Sequence, residues 1–290
     1  MKKTLSLVLA IVMLLSVATL LASCKQGGIK VGETMKIGVQ SGTTGEYYVK
    51  GDADWGFDGI KDYTAKGYAN GGLAVNDMKN GQVDCVVIDE QPAKQLAKKI
   101  DGVKVIDIPL TEEEYAFGVD KNQPELYAAV NAIVKEIKEN GTLDAIVSAY
   151  ATGDGIKPFE SAKFDASKAD KQLVVATNAA FAPFEYKDGD KFAGIDMEIA
   201  KYIADKLGLE LVIMDMDFDS VVTSVGKNGV DIAMAGLTVN DTRKQYVNFT
   251  ESYYNAAQVL IVSEDEDAFD DCKTAEDVLD KLAAIAEENK

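Results

Sequence analysis

From residue 35 onward, apolar runs of strand length alternate with amphipathic runs of helical period. The runs Met35–Gln40, 62–68, 83–89 and 103–108 predict strands. A polar turn, 41–45, follows the first of them. The intervening stretches 72–80 and 91–100 predict helices. A further strand fits 113–120. The next helix is opened by Pro124, carries Leu126, Val130, Ile133 and Ile137 at helical spacing, and is stopped by Asn140-Gly141. A shorter helix fits 143–150.

Residues 151–171 (ATGDGIKPFESAKFDASKADK) hold no sustained period and read as a linker. A second series then starts, with strands at Gln172–Thr177, 209–214, 230–235 and 258–262. Its helices fall at Ile195–Leu207, 220–227 and Ala275–Glu288, the last with Val278, Leu282 and Ile285 facing inward. Apolar strands alternating with helices predict an α/β fold whose sheets are covered on both faces. The segments MKNGQVDCVVID and GKNGVDIAMAG share a helix stop, a Val-Asp start and an apolar strand. They are either one αβ turn used twice, or two lobes offering strand ends to a shared cleft.

Charge and composition narrow the function. The chain has 290 residues, a net charge of −18 and no histidine. Such acidity repels nucleic acid and anionic headgroups. The missing histidine removes histidine triads and histidine metal ligands, and no cofactor or metal is indicated. At the start, Lys2 and Lys3 precede an apolar run over 5–21 and then Leu21-Ala22-Ser23-Cys24. That is the order of a secretory leader, although the run is almost long enough for a membrane anchor. The box resembles a bacterial lipoprotein signal. The resemblance makes 1–23 the signal peptide, Cys24 the lipid-bearing first mature residue, and 24–34 a tether on the extracytoplasmic face of the membrane. Cys85 lies in an apolar run, and spacing leaves a disulfide to Cys272 open.

Several motifs in register resemble the polar-amino-acid-binding proteins of ABC importers, the glutamine, arginine, histidine and cystine group. Residues 175–186 (VATNAAFAPFEY), 193–196 (AGID), 216–219 (MDFD), 235–244 (AGLTVNDTRK) and 249–254 (FTESYY) resemble that family's first half. Residues 36–45 (KIGVQSGTTG), 80–84 (NGQVD) and 88–90 (IDE) resemble its second half. The order is reversed, so the resemblance implies a circularly permuted, two-lobed periplasmic-binding-protein type II fold. One lobe would comprise 117–150 with 172–259, and the other 35–112 with 266–290. Chain crossings would fall at 113–116 and 260–265, and 151–171 would join the family's usual termini. A domain-swapped dimer satisfies the same sequence.

The resemblance also implies a site. Arg243 would hold the ligand carboxylate, since guanidinium offers two parallel donors and follows the polar helix start Asn240-Asp241. An arginine there also suits a surface ion pair. Asp89, at the end of an apolar strand, would hold the ammonium, or else cap the following helix. Gly236, Thr238, Thr43 and Thr44 would add backbone and hydroxyl partners. Phe181 and Phe218 would flank the side chain, or serve as plain core residues. Asn178 stands where relatives that bind basic ligands often have Asp, and with Gln40 it favours glutamine; arginine and cystine stay open. The expected protein is a binder, not an enzyme, delivering its ligand to an ABC permease and ATPase. A tethered sensor is one alternative. A cyclohexadienyl-dehydratase-like lyase is another, for which Glu46, Glu90 and Glu185 offer carboxyls.

Overall fold

The computed structural model describes residues 34–290. The expected leader, Cys24 and nearly all of the tether lie outside the described residues. The first series runs β1 (Met35–Gln40), α1 (Thr44–Lys50), β2 (Tyr63–Tyr68), α2 (Gly71–Lys79), β3 (Cys85–Asp89), α3 (Glu90–Lys99) and β4 (Val103–Ile106). Then come β5 (Glu113–Tyr115), β6 (Gly118–Asp120), α4 (Pro124–Glu139) and α5 (Thr142–Thr152). The second series is β7 (Gln172–Thr177), β8 (Ala180–Phe181), β9 (Glu185–Asp188), β10 (Lys191–Ala193), α6 (Ile195–Leu207) and β11 (Glu210–Asp215). It continues with α7 (Phe218–Ser224), β12 (Ile232–Ala233), α8 (Asp241–Lys244), β13 (Val247–Phe249), β14 (Tyr254–Ala256), β15 (Gln258–Ser263) and α9 (Ala275–Glu288).

These elements form two α/β lobes, each around a five-stranded mixed sheet. One sheet has the order β2-β1-β3-β15-β4 and the other β11-β7-β12-β6-β13. In the first, β1 runs parallel to β2 and β3, while β15 is antiparallel to β3 and β4. In the second, β7 runs parallel to β11 and β12, while β6 is antiparallel to β12 and β13. Both faces of the first sheet are covered, which explains its unbroken apolar strands. Ile37, Val39, Val87 and Leu260 pack with Val278 and Leu282 of α9. Val86, Ile88 and Ile261 face Ala74, Val75 and Ala93 of α2 and α3.

Two expected boundaries shift. The single strand over 113–120 is broken at Ala116 and Phe117. Its first half, β5, pairs with β14 in a two-stranded ribbon between the sheets, and its second half joins the second sheet. Ala116 N–H donates to Leu237 O at 3.0 Å, so the backbone changes partner at that point. The return crossing was expected at 260–265, with 172–259 in one lobe. Residues 258–263 are instead β15, an interior strand of the first sheet, and the crossing ribbon is β14. The apolar run 259–262, buried on both faces, gains more inside a sheet than as a hinge.

The linker is only partly free. Phe159 and Phe192 exchange backbone hydrogen bonds, Ala162 N–H donates to Leu211 O at 2.9 Å, and Asp165 caps a 3-10 turn over Ala166–Lys171. Residues 153–157 carry little of this anchoring. The two ends of the described chain meet: Asn289 Nδ2 lies 2.8 Å from Met35 Sδ, and Lys290 pairs with Asp62 at 3.2 Å. Tyr63 Oη donates to Leu282 O at 3.0 Å, tying β2 to α9 at the same edge. Cys85 is buried, Cys272 is half-buried, and both are free thiols, so the possible disulfide is not formed. Among the described residues no helix is long and apolar enough to cross a membrane, and no acidic or thiol cluster is arranged to hold a metal ion.

Candidate ligand-binding site

Strand ends from both sheets converge between the lobes. Gln40 ends β1 and Asp89 ends β3 in one lobe. Thr177 ends β7 in the other, and Asn178 follows it directly. Gln40 Nε2 donates to Asn178 Oδ1 at 2.9 Å, and Asn178 Nδ2 donates to Met216 O at 2.8 Å. Thr44 Oγ1 donates to Thr238 Oγ1 at 3.1 Å, again across the lobes. Thr43 Oγ1 donates to Gln40 O at 2.7 Å and fixes the turn that leads into α1. That helix was missed in the sequence because a polar Ser-Gly-Thr-Thr-Gly run carries no apolar period.

Arg243 is central and only 6% exposed. Nη1 donates to Thr238 O at 2.9 Å, and Nη2 donates to Gly42 O of the opposite lobe at 3.1 Å. Asn240 caps the short α8 by accepting from Arg243 N–H at 2.8 Å, so that backbone donor is used within the turn. Burial pulls the guanidinium down to about 10, against the holding effect of Glu113 and Asp89, and it remains a cation at neutral pH. The surface-ion-pair alternative does not apply to so buried a side chain.

Asp89 is 5% exposed and takes the N-cap position of α3 without a side-chain capping bond. It accepts instead from the hydroxyl of Tyr115. Burial, and then the charge of Glu113, push its carboxyl up to about 7. Glu113 accepts from Thr238 Oγ1, from Gln258 Nε2 at 2.9 Å and from Thr111 Oγ1 at 2.7 Å. Sequence reasoning missed Glu113 and Tyr115. Both lie on the crossing ribbon, where the pattern Glu-Glu-Tyr gives no sign of which carboxylate turns inward.

Gly236 N–H donates to Asp196 Oδ2 at 2.9 Å, and Tyr253 donates its hydroxyl to Asp196. A side chain at Gly236 would meet Phe181 Cε1 at 3.1 Å, so the glycine lets the backbone approach that ring. Burial pushes Asp196 up to about 7. Phe181 and Phe218, expected to flank one ligand side chain, fall in different clusters. Phe181 lies 6.1 Å from the Phe184 ring, whereas Phe218 packs with Val221 and Val222 and presents its ring to Arg243 at 5.3 Å. Of the three carboxyls open to a lyase, Glu46 accepts from Gly42 N–H at 2.7 Å and Glu90 pairs with Lys94. Glu185 is fully buried, and among the described residues neither of its oxygens accepts a hydrogen bond.

Residues 173–290 match the family model of bacterial extracellular solute-binding proteins, family 3. The arginine-binding extracellular protein ArtP of Bacillus subtilis is 40% identical over 95 residues, covering 33% of this chain and 37% of that protein. A probable histidine-binding protein of Campylobacter jejuni is 28% identical over 96 residues, covering 33% of this chain and 38% of that protein. The chain thus spans a little over a third of the length of these relatives. An ancestral arginine-binding protein bound to arginine is 38% identical over 29% of this chain and 38% of its own, with a TM-score of 0.28.

Proposed function

We propose that the protein captures a polar amino acid between its lobes and delivers it to an ABC importer. The observation that carries this reading is the convergence of buried Arg243 and buried Asp89, one from each lobe, where strand ends face each other. Arg243 retains N–H groups beyond those given to Thr238 and Gly42, and these would hold the ligand carboxylate. Asp89 would hold the ammonium, with the hydroxyls of Thr44 and Thr238 and the backbone of Gly236 nearby. Groups from both lobes would favour the closed form, so binding shifts the population toward it.

Glu113 places a second buried carboxylate beside one arginine, which suits a cationic side chain. The relatives described above are named for arginine or for histidine, both basic amino acids, and arginine is the ligand we place first. Glutamine is the second reading, because the neutral Asn178-Gln40 pair offers it amide partners. The family 3 match over the later part of the chain, and the adjoining ends at Met35 and Asn289, support a circular permutation. The lipoprotein box supports anchoring through Cys24 on the extracytoplasmic face. No chemical step is assigned to the site.

The test is thermal melting of residues 25–290 with each common amino acid and cystine. Ligand at about a hundred times its dissociation constant adds roughly 2.7 kcal/mol. A large shift with arginine, lost in Arg243→Ala, supports the reading. A clean melt that no amino acid shifts would sink it, and conversion of prephenate or arogenate would replace it with the lyase.

A further inference from the structure

The chain contains one tryptophan, Trp55, in the loop between α1 and β2. The loop is closed at its base. Asp52 N–H donates to Phe57 O at 2.8 Å, and Phe57 N–H returns to Asp52 O at 3.0 Å. Gly51 and Gly59 press their backbones together there: a side chain on Gly51 would meet Asp58 O at 2.8 Å, and one on Gly59 would meet Gly51 N at the same distance. Inside the loop, Trp55 stacks on Tyr47 of α1, with centroids 4.1 Å apart and planes 16° from parallel. The indole is therefore held in place by its own lobe.

The indole also meets the other lobe. The guanidinium carbon of Arg243 lies 5.1 Å from the Trp55 ring and 5.3 Å from the Phe218 ring. Phe218 belongs to the lobe of Arg243, whereas Trp55 reaches it across the cleft. A planar cation between two aromatic faces is favourable, and more so as water is excluded. The Phe218 contact persists whatever the lobes do. The Trp55 contact exists only while they are together.

We propose that Trp55 is an inter-lobe latch, closing over Arg243 and so setting how long bound ligand is retained. This deepens the reading above, since it rests on Arg243 holding the ligand carboxylate. By covering Arg243, the indole lowers the local dielectric around the ion pair and strengthens it. It acts through Arg243 and is a positioning residue. The glycine-pinned loop makes the latch rigid, so closure orders little additional chain.

The test uses residues 25–290 with Trp55→Leu, Trp55→Phe and Trp55→Ala, and L-arginine as ligand. Loss of one partly desolvated cation–π contact predicts a dissociation constant raised roughly five- to thirty-fold in Trp55→Leu. Most of the change should lie in a faster dissociation rate, with Trp55→Phe recovering part of it. A merely apolar contact would be kept by Leu, so wild-type affinity and dissociation rate in Trp55→Leu would overturn the latch. Trp55→Ala checks the result with a side chain too small to misfold the loop by crowding. Failure of the wild type to bind any amino acid defeats the site assignment instead. The latch is then decided by acrylamide quenching of the lone tryptophan, which Arg243→Ala must increase; unchanged quenching refutes it.

Discussion

The side-chain amide of Gln40 donates to the side-chain oxygen of Asn178 at 2.9 Å, joining the end of β1 in one lobe to the end of β7 in the other. Asn178 simultaneously donates to Met216 O at 2.8 Å, so its amide orientation is fixed by two partners. Replacing it with Asp keeps an acceptor for Gln40 but removes the donor to Met216 and adds a negative charge. Asn178→Asp should therefore raise the preference for arginine over glutamine by about tenfold, the effect of roughly 1.4 kcal/mol. It should also cost about 1–3 kcal/mol of stability, because Met216 O loses its partner. Titration with each ligand and a urea melt read the two effects separately.

Three buried carboxyls make stability and binding respond to pH in opposite directions. Burial pushes Asp89 and Asp196 up to about 7 and raises Glu185 well above the usual carboxylate range. The unfolded chain ionises these groups near their ordinary values, about 4. Between roughly pH 4 and 7 the folded protein thus holds more protons than the unfolded one. Stability falls as pH rises through that window, by about 1.4 kcal/mol per pH unit for each such group. In the proposed site the ligand ammonium pairs with ionised Asp89, so affinity should fall as pH drops below about 7. Melting of the unliganded protein should rise from pH 8 to pH 5.5 while arginine affinity declines, and Asp89→Asn should flatten Asp89's share of the stability slope.

Most of the regular structure was legible because its signals are local. Met35–Gln40, Gln172–Thr177, Ile195–Leu207 and Ala275–Glu288 were read at their observed bounds, from apolar runs, helical spacing and clear stops. The failures are non-local. Nothing near 113–120 reveals that the backbone leaves one strand partner for another at Ala116. Nothing near Trp55 announces that it crosses to Arg243. Arg243 and Asp89 stand out as candidates in the sequence because each lies at a strand or helix terminus with a recognisable motif, and the structure buries both. Glu113, Tyr115 and Trp55 gain their places only through pairing and packing far along the chain.

Gly194 tests whether the lobe tolerates displacement just before α6. Its φ is +133, and a side chain there would lie 2.0 Å from Phe184 O and 2.7 Å from Glu185 N. Both are backbone atoms and cannot swing aside. Gly194 N–H also donates to Tyr150 Oη at 2.9 Å, and α6 carries Asp196 beneath Gly236. Gly194→Ala should cost on the order of 3 kcal/mol or more and weaken ligand binding. Gly189, with φ +61 and nothing within 4 Å, is the control. Gly189→Ala should cost about 1 kcal/mol, as expected of φ alone. Equal costs in denaturant melts would refute the clash as cause.

The proposed permutation can be tested by reversing it. Asn289 reaches Met35, so a few glycines would span from Lys290 to residue 34. New ends belong between Gly155 and Ile156. Gly153 and Gly155 have positive φ and nothing within 4 Å, whereas from Phe159 onward the linker pairs with β10 and β11. Opening the chain there leaves both sheets, the crossing ribbon and the site residues intact. Loop-closure entropy changes slowly with length, so stability should move by only about 1 kcal/mol. The rearranged chain should melt as the natural order does, run as a monomer, and show the same arginine-induced shift. Two unlinked transitions, or loss of that shift, would mean that α9 and β1 do not form one lobe within a single chain. Obligate dimerisation of the natural order, relieved by the rearrangement, would point to exchange of α9 between two chains.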